Sequence, residues 1–376
     1  MRATLSAAVV VCAVTAVLPG AASAEPAGVG GVGGVGDVRG VGDVRGVRGV
    51  SAAGVERISV ASDGTQGDGD STGATITADG RRIAFSSLAK NLTPANPVTW
   101  ERVFVRDQRT SQTTLMSSIT PTNQGPVISG DGQYVAFWGL LQRDTKAFLS
   151  QVSSGSTIGI NCPGLSCGQP SLSTDGRYIA QVATSNRPPS RQRIEVRDWR
   201  ADTTETIAEF DHTASARPSI SGDGRFVAYQ DGRAEDVFVW DRTDGTSSGP
   251  IEGPSKTATL VQLSKDGSKV VYLSGPDTYV HDESSGTDQL VPNVRGVAID
   301  PTGRYLLYAT PDTNGPSLTL RDLETGTEET VSNQPASAGT DAVGTGGRDV
   351  VFQSTADDIV PGDTNGKSDV FVRHFY

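Results

Sequence analysis

The sequence predicts an all-β protein: a seven-bladed β-propeller of four-stranded antiparallel blades, its ring closed by an N-terminal strand pairing with the C-terminal blade. Three observations predict it. One block recurs seven times at blade length, each repeat carries four strand-like segments, and the two ends of the domain complement each other.

The block is a short polar strand, an Asp-Gly turn, then an apolar run opened by a basic or polar residue. It reads Thr77-Ala-Asp-Gly-Arg-Arg-Ile-Ala-Phe85, Ser129-Gly-Asp-Gly-Gln-Tyr-Val-Ala-Phe137, Ser173-Thr-Asp-Gly-Arg-Tyr-Ile-Ala180, Ser221-Gly-Asp-Gly-Arg-Phe-Val-Ala-Tyr229 and Ser264-Lys-Asp-Gly-Ser-Lys-Val-Val-Tyr272. Two degenerate copies follow at Asp300–Tyr308 and Gly344–Phe352. The turn glycines at 80, 132, 176, 224, 267, 303 and 347 are spaced by 52, 44, 48, 43, 36 and 44 residues. Asp-Gly between strands is a hairpin signal because the turn needs a positive φ that glycine adopts freely. The run after it, such as Phe226-Val-Ala-Tyr229, is apolar on both faces, as in a blade packed between two neighbours.

A third strand ends in an acidic turn at Asp107, Asp198, Asp241, Asp282 and Asp322, and a polar fourth strand follows, such as Thr113–Ser117 or Glu328–Ser332. The domain opens on Val55–Val60, a fourth strand without a predecessor. It closes on Asp369–Tyr376, a third strand without a successor. Pairing Val55–Val60 with Val370–Phe375 completes blade seven and removes an open edge.

Upstream, residues 1–24 read as an export signal. Arg2 precedes an apolar run from Leu5 to Leu18 too short to span a bilayer, and Ala22-Ser23-Ala24 offers a cut after Ala24. Cys12 follows Val11, where a lipoprotein needs a small residue, so it is read as lost with the signal. Residues 25–53 are Gly/Val-rich, with Gly-Asp-Val-Arg-Gly twice, and read as a flexible linker. Residues 54–376 are the propeller. A secreted, extracytoplasmic monomer without a membrane span is expected.

Removal of the signal leaves 31 basic against 43 acidic residues, a formal charge of −12, without a local basic cluster; this argues against nucleic acid as a partner. Cys162 and Cys167, in Cys-Pro-Gly-Leu-Ser-Cys, are expected to form a disulfide closing a turn in an oxidising compartment.

These repeats resemble the TolB-type, WD-like propeller repeats of bacterial extracytoplasmic proteins over roughly residues 54–376. Pro218–Tyr229 (Pro-Ser-Ile-Ser-Gly-Asp-Gly-Arg-Phe-Val-Ala-Tyr) and Pro361–Arg373 carry the resemblance. It implies the fold and not a chemistry, since propellers host binding, scaffolding and catalysis alike. The chain departs from TolB proper in showing no N-terminal α/β domain and in counting seven blades rather than six.

Signals for catalysis are few. The three histidines, His212, His281 and His374, fall at outer-strand positions, away from the axis where propeller lyases gather a metal. There is no Gly-x-Ser-x-Gly elbow, His-Glu-x-x-His or phosphate loop. The loop Asp363-Thr-Asn365-Gly366-Lys-Ser-Asp369 alternates oxygen-bearing side chains around a glycine, which suits Ca²⁺. Pro361 stands where a leading Asp would be, and solvated Asx turns explain the same residues. Its relative Asp312-Thr-Asn314-Gly315 lacks the final acid, and Asp63, Asp68 and Asp70 form another acidic loop. No other cofactor is expected.

The channel mouth is the default binding place. Residues preceding each first strand would line it: Asp70, Gln124, Gln169, Arg217, Thr259, Arg295 and Asp341. Arg217 and Arg295 would make a positive spot for an anionic group, such as a peptide C-terminus or a uronic acid. Alternatively, each pairs with an acid such as Asp341 or Asp70 and ties blades together. Trp100, Trp138, Trp199 and Trp240 are candidates for sugar stacking or for inter-blade packing. The expected function is non-enzymatic binding of a protein, peptide or envelope glycan. A polysaccharide lyase or hydrolase with an axial site, and a mainly structural envelope protein, are the alternatives.

Overall fold

The computed structural model describes residues 54–94, 100–116, 125–141, 144–160, 162, 166–185, 191–211, 217–233, 235–311 and 317–375. The expected leader (1–24) and linker (25–53) lie outside them. Among the described residues no helix is long and apolar enough to cross a membrane.

The chain is all-β, with seven antiparallel sheets, and apart from the seam sheet that joins the two ends of the domain the strands of each blade pair in sequence order. Blade 1 is Ser71–Ile76, Arg82–Ser87, Arg102–Asp107 and Gln112–Leu115; blade 2 is Val127–Ile128, Tyr134–Leu141, Asp144–Gln151 and Thr157–Ile160. Blade 3 is Ser171–Leu172, Tyr178–Thr184, Gln192–Asp198 and Thr203–Phe210, with Ser166–Cys167 added beside its second strand. Blade 4 is Ser219–Ile220, Phe226–Asp231, Asp236–Asp241 and Thr246–Ile251; blade 5 is Thr259–Leu263, Lys269–Ser274, Asp277–Asp282 and Thr287–Val291. Blade 6 is Arg295–Ile299, Tyr305–Ala309, Leu318–Asp322 and Glu328–Ser332. Blade 7 takes Asp349–Ser354 and Asp369–His374 from one end of the domain and Gly54–Arg57 from the other, with bridges at Ser337 and Val343 marking its inner edge.

The seam is therefore the one expected, with a shorter register. Gly54 pairs with His374 and Arg57 with Phe371, and the Ile58 N–H still reaches the Val370 carbonyl at 2.8 Å. Regular pairing stops there because the chain turns back on itself, bridging Val60 to Gln66.

The repeat has a local physical cause. In Ser129-Gly-Asp-Gly-Gln-Tyr134, the Ser129 hydroxyl donates to Asp131 at 2.6 Å and accepts the Tyr134 N–H at 3.0 Å, while Asp131 accepts the Gln133 N–H at 2.9 Å. The same three bonds recur at Thr77, Ser173, Ser221 and Ser264. In blade 6 one buried carboxylate, Asp300, accepts from Thr302, Arg304 and Tyr305 instead. The glycine that follows must hold positive φ (66° at Gly176), and a Cβ there would lie 2.7 Å from the Tyr134 ring of the preceding blade.

The second strands pack as their two-faced apolarity requires. Val227 and Tyr229 join the core between blades 3 and 4, whereas Ala228 joins the core between blades 4 and 5. The largest cluster runs through blades 6, 7 and 1, so the seam is packed as continuously as any covalent junction.

At the turn end of the inner strands, a ring of hydrogen bonds crosses every blade junction. Ala78 donates to Gly130 (3.1 Å), Asp131 to Thr174 (3.0 Å), Thr174 to Gly222 (2.8 Å), Gly222 to Lys265 (2.6 Å) and Asp266 to Pro301 (3.0 Å). The Gly346 N–H meets the Asp300 carboxylate at 3.0 Å, and Thr345 returns to Ala78 at 2.9 Å. The approach is close enough that a Cβ on Gly222 would stand 2.4 Å from the Thr174 hydroxyl.

Third-strand aspartates cap their own turns and pair with the basic residue that follows the Asp-Gly turn. Arg225 meets Asp241 at 2.6 Å and Arg304 meets Asp322 at 2.6 Å, and these guanidinium groups hold both carboxyls down to about 2. Burial acts in the opposite direction on Asp369, Glu195 and Glu283, whose carboxyls are pushed up. A raised folded pKa adds stability as pH falls toward the unfolded value near 4. A depressed one contributes stability that is lost below it. The melting temperature is therefore expected to rise modestly from pH 7 to about pH 4–5 and to fall between about pH 4 and pH 2. A scanning-fluorimetry series across that range checks it; a monotonic fall from pH 7 is the contrary result.

Candidate functional site

The inner strands enter the axis at the end opposite the hydrogen-bonded ring, and there they enclose a cavity of about 470 Å³. Its walls come from the starts of the inner strands. Gly73, Ala74 and Thr75 belong to blade 1, Gly125 and Pro126 lead into blade 2, and Gln169 leads into blade 3. Arg217 and Ser219 belong to blade 4, Thr259, Leu260 and Val261 to blade 5, and Gly339 and Thr340 to blade 7. At this rim the main chains of blades 1 and 2 meet directly: Gly73 has φ 65°, and a Cβ on it would fall 2.5 Å from the Gly125 Cα. The Gly73 N–H is bonded to Gln353 of blade 7 at 2.6 Å, and Gln169 donates to the Gly125 carbonyl at 3.4 Å.

Beneath the cavity, a polar network spans the axis. Asp341 is only 8% exposed and accepts from Arg217 at 2.7 Å, from Lys265 at 3.3 Å and from Gln262 at 3.3 Å. Arg217 also donates to Thr340 at 2.8 Å, and Lys265 to the Leu172 carbonyl at 2.9 Å. The Gln262 carbonyl accepts the N–H groups of Ile299 and Asp341, and the Asp341 carbonyl accepts that of Ile76 at 3.0 Å. Burial alone would raise the Asp341 carboxyl; Lys265 and Arg217 instead hold it down to about 2. The network joins blades 1, 3, 4, 5, 6 and 7, so the axis is a blind cup rather than an open tube. Two cations share one carboxylate, leaving the floor one positive charge in excess.

Of the residues expected at the mouth, Gln169, Arg217 and Thr259 line the cup and Asp341 lies under it. Gln124 falls outside the described residues. Arg295 is exposed and does not line the cavity, so the expected pair of arginines is not assembled there. Asp70 turns away toward the seam, accepting the Ser368 N–H at 2.9 Å. Gln262, Lys265 and Thr340 were not anticipated. A signal existed for two of them. Lys265 occupies a turn position held in blades 1–4 by the smaller Ala78, Gly130, Thr174 and Gly222, and Gln262 stands where Ser171 and Ser219 present hydroxyls.

The oxygen-rich loop is assembled, and it is compensated from within. Asp363 and Asp369 face Arg57 at 3.1 and 3.5 Å, and both accept from the Gln66 amide at 2.8 and 3.0 Å. Asn365 turns its amide nitrogen toward Asp369 (3.1 Å) and the Gly67 carbonyl (2.9 Å), and Ser59 donates to the buried Asp369 at 2.5 Å. A guanidinium thus stands against the carboxylates considered for Ca²⁺, and among the described residues no cluster of His, Cys, Asp and Glu is arranged to hold a metal. Asp312 and Asn314 lie outside the described residues.

His281 and His374 sit on third strands, paired with Asp288 at 3.0 Å and Asp349 at 2.6 Å; His212 is outside the described residues. The tryptophans are also off the axis. Trp199 donates to the Gly176 carbonyl at 2.8 Å and Trp240 to Glu205 at 3.2 Å. Trp100 is exposed beside Arg102, and Trp138 lies on the second strand of blade 2.

Cys162 and Cys167 form a disulfide with a Cα–Cα distance of 5.7 Å. Cys167 pairs with Ala183, its carbonyl accepts from Thr145 at 2.8 Å, and Gln169 at the cup wall follows two residues later. Thiol titration of the denatured, unreduced domain is expected to find neither sulfur free. Reduction is expected to lower stability by about 2 kcal/mol, read as a shift in the urea midpoint. Two titratable thiols would contradict the first expectation.

No protein-family model matches the chain, and no curated protein matches it. Solved structures do. An oligogalacturonate lyase in complex with manganese superposes with a TM-score of 0.63 at 14% identity, covering 86% of this chain and 93% of that one. The oligogalacturonate lyase of Vibrio parahaemolyticus gives 0.62 at 13%, covering 86% and 97%. TolB from Acinetobacter baumannii gives 0.49 at 19%, covering 68% and 64%. At such identities likeness extends to the fold alone. The seven blades described above make the fold a seven-bladed β-propeller.

Proposed function

We propose that the chain is an extracytoplasmic, non-enzymatic binding module that engages a protein, peptide or envelope glycan through an anionic group at the axial cup. The observation that carries this reading is the cup itself: a concave site whose one ionised lining side chain among the described residues is Arg217, which with Lys265 and Asp341 beneath it leaves one positive charge in excess, on a protein of net charge −11. A cavity of about 470 Å³ is within the size range of small-ligand sites. The buried disulfide and the apolar run of residues 5–18 support an extracytoplasmic setting.

The acid and bases beneath the cup satisfy one another, which favours a fixed electrostatic floor over groups that exchange protons with a substrate. The test is binding to the immobilised domain of three probes: an acidic peptide, trigalacturonate and a muropeptide. At least one is expected to bind saturably, more weakly at high salt, and to lose binding in Thr259→Trp, which fills the rim without touching the network. Binding of none of the three overturns the reading, as does turnover of trigalacturonate.

A further inference from the structure

We infer that the cup receives the free C-terminal end of an extended polypeptide, with its carboxylate on Arg217 and an aliphatic last side chain; this rests on the reading of the cup as a binding site. Four features select that class over others.

The first is charge count. Among the described lining residues Arg217 is the one ionised side chain, and together with Lys265 and Asp341 beneath it the site carries a single excess positive charge. One carboxylate matches that count, and a guanidinium binds it through paired N–H donors. A polyuronate brings a carboxylate on every ring and meets no second cation in the lining. An N-terminal ammonium would be repelled.

The second is the shape of the floor. Asp341, Lys265 and Gln262 bond to one another and to backbone groups of blades 1, 3 and 6, so the axis is closed below Arg217. A chain cannot thread through such a site. It can only enter end first and stop.

The third is the absence of aromatic lining. Among the described residues no aromatic ring borders the cup, whereas sugar faces are held by stacking on aromatic side chains. The fourth is what lines it instead. Gly339 has open space where a Cβ would stand and leaves main chain uncovered, as suits a partner that is itself main chain, while Pro126, Leu260 and Val261 supply an apolar wall for one side chain. Capture of a terminal carboxylate is a recurrent mode of peptide recognition.

The experiment uses a hexapeptide library randomised at its last two positions, prepared once as free acids and once as C-terminal amides, with trigalacturonate as a third probe. Peptides retained by the immobilised domain are identified by mass spectrometry and their affinities measured individually. Free acids ending in Val, Leu, Ile or Ala are expected to be retained, and each amide to bind about tenfold or more weakly. Thr259→Trp is expected to abolish retention at unchanged melting temperature. Arg217→Lys keeps a charge for Asp341 but loses the fork, and is expected to weaken the acids toward the amides.

Equal retention of acids and amides overturns the inference, and so does binding of trigalacturonate alone; in either case the cup remains a binding site. Retention of no probe overturns both the inference and the reading beneath it.

Discussion

Replacing Asp341 by alanine is expected to lower the unfolding free energy by about 3–5 kcal/mol, the largest effect of any single axial substitution. Asp341 is the sole carboxylate between Arg217 and Lys265, whose side chains are only 16% and 15% exposed. Its removal leaves two largely buried cations facing each other and strips Gln262 of an acceptor. Arg217→Ala should be milder, because Lys265 still meets the carboxylate and the lost guanidinium bordered an open cup. Urea denaturation of the two variants side by side checks the order. If Asp341→Ala is the milder, the network is not what holds the axis closed.

Beginning the chain at Ser62 is expected to give a domain that is less stable by at least about 3 kcal/mol and that aggregates. Ile58 is fully buried in the cluster shared by blades 6, 7 and 1, and Val60 and Ala61 are each 8% exposed. Their loss uncovers the edge of Asp369–His374, where Val370, Phe371 and Val372 alternate with unpaired backbone groups. It also takes Arg57 and Ser59 from Asp369, leaving a fully buried carboxylate short of its cation. Light scattering against concentration reads the aggregation, and a synthetic peptide of residues 50–62 added in trans is expected to suppress it. A truncated domain as soluble and stable as the parent would show that the seam does not matter.

The architecture was legible because its determinants are local and repeated. Ser221, Asp223 and Gly224 bond or bend within one turn, and the same arithmetic recurs around the ring, so strand identity and blade number survive errors at any one site. The seam was legible because both partners are recognisable halves of one unit. The site was less so, since its contacts join residues with no sequential relation. Arg217 reaches Asp341 across 124 positions, and Arg57 stands against Asp363 across the whole domain. Arg217 could be placed at the mouth by counting back from its strand. Lys265 rises from the opposite end, and its reach depends on channel depth, which no local pattern encodes. Asp70 shows the converse: the position was correct by counting, but the nearer Ser368 N–H claims the side chain for the seam.

The antiparallel register at the seam makes the order in which blades are written along the chain arbitrary. Gly54 lies directly opposite His374, so at this one junction the ring is held by hydrogen bonds and packing where elsewhere it is held by peptide bonds. A short glycine–serine bridge from Phe375 to Gly54 would restore covalent continuity there, and the chain could then be opened in the loop between blades 4 and 5. Such a circular permutant keeps every blade, the hydrogen-bonded hoop and the cup, but moves the fraying edge away from the buried Asp369. The molecule is, in topological terms, a closed band with a movable clasp.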